Sequence, residues 1–74
     1  MPHLKPPETV AAIRKLLFDR LAEINRDVTQ SVADLTVKID EQNHNASLGL
    51  LVYIENRTEA MRNILMVFRE HIGG

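Results

Sequence analysis

Val10, Ile13, Leu17, Leu21, Ile24 and Val28 follow one another at spacings of 3, 4, 4, 3 and 4. That rhythm commits the first third of the chain to an amphipathic helix with a single apolar stripe. Pro6 and Pro7 suit a first helical turn, where a missing N–H has no partner to lose. Glu8 sits where the helix dipole favours a negative charge. The residues off the stripe, Arg14 to Asp27, mix both signs and read as a solvated face rather than a phosphate track. Leu16 and Phe18 flank the stripe, and Phe18 falls near Ala11 and Ala22, the makings of a second contact surface.

Beyond Val28 the same rhythm reaches Val32, Leu35 and Ile39, an eleven-residue repeat of the kind found in long, nearly straight helices. Residues 35–40, "LTVKID", also alternate with period two, as a half-buried strand does. Carried further, the helical spacing lands on Asn43 and Arg57, the wrong chemistry for a buried seam. The strand reading gathers Leu35, Val37 and Ile39 on one face. "LGLLVYIEN" is rich in β-branched and aromatic residues, and Asn56 followed by Glu59 resembles a capping box that would start a new helix. Between the two runs, "EQNHNAS" offers turn-tolerant residues.

The expected fold is therefore α+β, a helix–β-hairpin–helix in one domain. Its parts are a tail or short edge strand over 1–6, a helix over 7–30 and a strand over 34–40. A loop over 41–47, a strand over 48–55 and a helix over 57–72 complete it. The alternative is an all-α helical hairpin dimerising into a four-helix bundle. The last helix would bury Met61, Ile64, Leu65, Phe68 and Ile72, end at Gly73, and leave Met66 pointing away. "LLVYIENRTEAMRNILMVFREH" is also similar to the first strand and helix of ligand-binding ACT domains. It covers under a third of the chain, and Glu59 stands where that family commonly has glycine.

A chain of 74 residues buries only about 60% of its unfolded surface on folding. Small domains often add disulfides or metals, but cysteine is absent, which leaves a partner subunit as the remaining source of stability. On the hairpin reading, Leu51, Tyr53, Thr36 and Lys38 share an uncovered face, and the strand edges invite pairing. A homodimer is expected, with those four residues, Phe18 and Met66 as candidate interface.

Nine Lys and Arg against ten Asp and Glu argue against nucleic acid as a partner. No signal peptide or membrane span is legible, so a cytoplasmic location is the default expectation. His3, His44 and His71 share no metal-ligand spacing, Ser31 and Ser47 lie in no nucleophile motif, and Gly49 stands alone. Pro2 resembles the amino-terminal base of small tautomerases, but Pro6 and Pro7 interrupt the strand it would lead. No catalytic residue, metal or cofactor is expected. The functional expectation is a non-enzymatic dimerisation, adaptor or regulatory module acting through protein–protein contact. A small-molecule-sensing domain and a Rop-like helical regulator of RNA or protein are the alternatives.

Overall fold

The computed structural model describes residues 6–72, which form a helical hairpin. Helix α1 runs Pro6–Asp40, helix α2 runs His44–Val67, and a π-helical turn, Phe68–Ile72, continues α2. The two helices lie antiparallel in a rod of 61 × 18 × 17 Å. Asp27 meets Arg57 and Phe18 meets Phe68, so each step back along α1 matches a step forward along α2.

No strand occurs among the described residues, which overturns the α+β expectation in favour of the helical alternative. Residues 34–40 complete α1, and residues 48–55 lie inside α2. Within "LTVKID" the helix accommodates the β-branched threonine, Thr36, whose hydroxyl donates to the Val32 carbonyl at 3.1 Å. Thr29 does the same to Asn25 at 2.8 Å. Side-chain pairs one turn apart, Lys15–Asp19 and Gln30–Asp34, run along the outside and add a few tenths of a kcal/mol each.

The connection needs three residues rather than the seven expected for a loop over 41–47. Asn43 N–H donates to the Lys38 carbonyl and Gln42 N–H to the Ile39 carbonyl, both at 2.9 Å. With Gln42 at φ 58°, this is a Schellman stop in which glutamine fills the left-handed position usually given to glycine. Asn43 then caps α2, its side chain accepting from Ala46 N–H at 3.1 Å. The helix start inferred at Asn56 and Glu59 thus lies thirteen residues too late. Both residues are exposed inside α2, and the capping asparagine is the one upstream. The expectations for residues 1–5 and for Gly73, including a strand at "PHLK", His3, Pro2 and the glycine cap, lie outside the described residues.

The seam between the helices follows a seven-residue repeat, not the eleven-residue one. On α1 it takes Leu17, Leu21, Ile24, Val28, Ser31, Leu35 and Lys38. On α2 it takes Ser47, Leu50, Ile54, Arg57, Met61, Ile64 and Phe68. All are half-buried or buried. Two helices that coil around each other keep a 3.5-residue register, whereas a 3-4-4 stripe follows a straight helix. The two paths coincide as far as Val28 and then part, so Val32 and Ile39 fall outside the seam, 45% and 58% exposed.

Gly49 sits inside α2 with nothing within 4 Å of where a Cβ would stand. Gly49→Ala should stabilise the hairpin by about 1 kcal/mol through helix propensity, read as a higher urea midpoint at fixed chain concentration. A loss of stability would contradict a helical residue 49.

Candidate interaction surface

A two-helix hairpin has two long flanks, one on each side of its seam, and here they differ in chemistry. The first carries a polar cluster at mid-length. Asp27 Oδ2 accepts a hydrogen bond from the Tyr53 hydroxyl and lies 3.2 Å from Arg57 Nε. The Arg57 contact is ionic rather than a directed hydrogen bond, since its N–H does not aim at the carboxylate. The Arg57 guanidinium also lies 6.0 Å from the Tyr53 ring centre. Ser31, buried at 6% exposure, stands on the seam one turn from Asp27.

The hydrogen bond to Asp27 raises the Tyr53 pKa above its ordinary value of 10.0. Loss of hydration and the Asp27 charge add to the effect, and Arg57 opposes it.

The second flank is apolar near the turn. Leu35 and Ile39 of α1 and His44, Ser47, Leu48 and Leu51 of α2 line a shallow open groove there. Val32, one heptad before Ile39, extends the same row, and Leu51 is 45% exposed. At the open end of the hairpin, Phe18 packs on Phe68 with ring centres 4.8 Å apart and a 36° tilt. The Arg14 guanidinium covers both rings, 5.7 Å and 5.3 Å from their centres.

The six residues expected to form one interface are dispersed. Leu51 and Thr36 lie along the apolar flank. Tyr53 lies on the polar one, and Lys38 stands at the turn end of the seam, pairing with Glu41 at 3.0 Å. Phe18 stands at the open end, and Met66 faces outward on α2, one heptad after Glu59. Residues two apart share a face on a strand but stand 200° apart on a helix, which is why Leu51 and Tyr53 separate. Asp27, Arg57, Val32, Ile39 and Leu48 were missed as site residues. The signal for the first two was Arg57 itself, an ion landing on a seam that needs a countercharge in the facing helix.

Among the described residues, no group of three His, Cys, Asp or Glu side chains could hold a metal ion, and no helix is long and apolar enough to cross a membrane. The "LLVYIEN" strand on which the ACT-domain likeness rested is helical. No protein-family model, no curated protein and no solved structure matches the chain.

Asp27→Ala should destabilise the hairpin by about 1–2 kcal/mol, because it strands a half-buried guanidinium. Arg57→Met should cost less than half as much, since methionine suits the seam; paired urea titrations give the comparison. Tyr53 supplies a pH test. A pKa raised in the fold means that its contribution is complete below pH 10 and fades as pH rises through the folded value. The stability gap between wild type and Tyr53→Phe should therefore narrow above pH 10.

Proposed function

We propose that this chain is a non-enzymatic protein-interaction module that works as a homodimer, two hairpins joined through their apolar flanks into a four-helix bundle. The observation that carries this reading is how little the hairpin covers. Among the described residues only Ile24 and Phe68 are buried apolar side chains, at 2% and 5% exposure. The chain leaves 5786 Å² accessible, whereas a compact monomer of 8.4 kDa would leave about 4,600 Å². The excess, about 1,200 Å² per chain, exceeds the roughly 800 Å² that each partner contributes to a standard interface.

A second copy is the occupant that fits. Every copy carries the same uncovered row, a twofold interface pairs such a patch with itself, and a formal charge of −1 sets no repulsive barrier. The module's place of work is proposed to be the cytoplasm, in keeping with a cysteine-free chain. Its biological output is proposed to be contact itself, as an adaptor or regulator whose assembly state presents a surface to another protein.

Sedimentation equilibrium at micromolar concentration should return twice the chain mass, with a melting temperature that rises with chain concentration. Val32→Ser combined with Leu51→Ser should shift the protein to monomer or unfolded chain. A wild-type protein that is folded, monomeric and insensitive to concentration would overturn the reading.

A further inference from the structure

Granting the homodimer proposed above, we infer that its two hairpins lie antiparallel, with the turn of each against the open end of the other. The twofold axis would pass at the level of Asn25 and Thr58.

The exposed row on the apolar flank has a symmetry of its own. On α1, Val32, Asn25 and Phe18 stand seven residues apart; on α2, Leu51, Thr58 and Leu65 do the same. All six are exposed. Each row is apolar, polar, apolar, and both polar residues fall at the same height of the hairpin, next to the Asp27–Arg57 level. A twofold axis at that height sets Val32 against the partner's Phe18 and Leu51 against the partner's Leu65. A parallel arrangement, with the turns together, matches apolar to apolar equally well, by setting Val32 against the partner's Leu51. Hydrophobicity therefore fixes the level of pairing but not its direction.

Charge decides the direction. Residues 6–21 and 62–72, the open end, hold five Lys and Arg against three acidic residues. Residues 33–51, the turn end, hold three acidic residues against one Lys. Parallel hairpins would bring like ends together, whereas antiparallel hairpins bring the basic end of each over the acidic end of the other. The same direction pairs individual ions. Glu55 and Arg62, seven residues apart, border the rim of the α2 row and share a surface concavity with Thr58 and Glu59. In the antiparallel dimer α2 crosses the partner's α2 about Thr58, so Glu55 faces the partner's Arg62, twice by symmetry. With the turns together, each would face the partner's α1 near Thr29 and Ala22, which carry no charge. Flanking ion pairs of this kind set orientation in helical assemblies.

The natural absence of cysteine permits a direct measurement. Asn45→Cys places one spin label per chain at the exposed start of α2, with the oligomer confirmed by sedimentation on the same sample. Thirteen helical residues separate position 45 from Thr58, so antiparallel copies put the labels about 40 Å apart at ~1.5 Å per residue. Turns placed together put them within about 20 Å, roughly two helix diameters. A dimer with the long distance supports the inference. A dimer with the short distance overturns it and leaves the homodimer standing, and a monomer overturns both. In a second arm, Arg62→Glu should weaken dimerisation about tenfold, and Glu55→Arg added to it should restore most of that affinity. Failure of the restoration, in a double variant as helical as the wild type, would count against the orientation.

Discussion

Two helices joined by a short turn can share only one seam, and everything else in this molecule follows from that limit. A helix packed on one neighbour covers only one stripe of its surface, so apolar residues on any other side stay in water. Here the seam takes a seven-residue register, and along it the hairpin buries Ile24 and Phe68 and half-buries a row of leucines and isoleucines with Val28 and Met61. The stability of so narrow a contact is small against the conformational entropy of ordering the chain. What the seam leaves uncovered then becomes the most consequential part of the surface.

The two flanks answer that limit in different ways. On one, Asp27, Tyr53 and Arg57 bridge the helices with polar groups that tolerate water. On the other, Val32, Ile39, Leu48 and Leu51 bridge nothing, and their exposure has no compensation within one chain. The asymmetry gives the hairpin a wet side and a dry side. An ion on the seam also ties the two helices together at one level, because Arg57 meets the Asp27 carboxylate across it in this register.

Much of this was legible in the sequence, but in pieces. The stripe from Val10 to Val28 announces a helix, and its continuation to Ile39 was visible as an eleven-residue repeat. The hairpin alternative was therefore in view, and the strand reading displaced it for a definable reason. Steps of four residues fit both a helix and a strand, and Val37, which tipped the balance, is in fact a half-exposed residue on the outside of α1. Asn43 and Asn56 present the same capping side chain, and the local signal, Glu59 three residues after Asn56 where Asn43 has Ala46, favours the one that is not a cap. The difference lies in the Gln42 turn, where a left-handed glutamine replaces the glycine that would have marked the stop. The site was less legible still. Whether Val32 lies inside or outside depends on how the helices coil around each other, which is a property of the pair and is not written in either helix alone.

The aromatic clasp at the open end has a kinetic meaning. Residues that meet next to the turn are a few positions apart along the chain, whereas Phe18 and Phe68 are separated by fifty. The entropy of closing a loop rises with its length, so the helices zip together most cheaply from Asn43 outward, and the clasp closes last. Read in reverse, the rings and the arginine over them stand at the position where fraying begins. They set the threshold at which the molecule starts to come apart, and amide protons near residues 14–18 report that opening before those near the turn do.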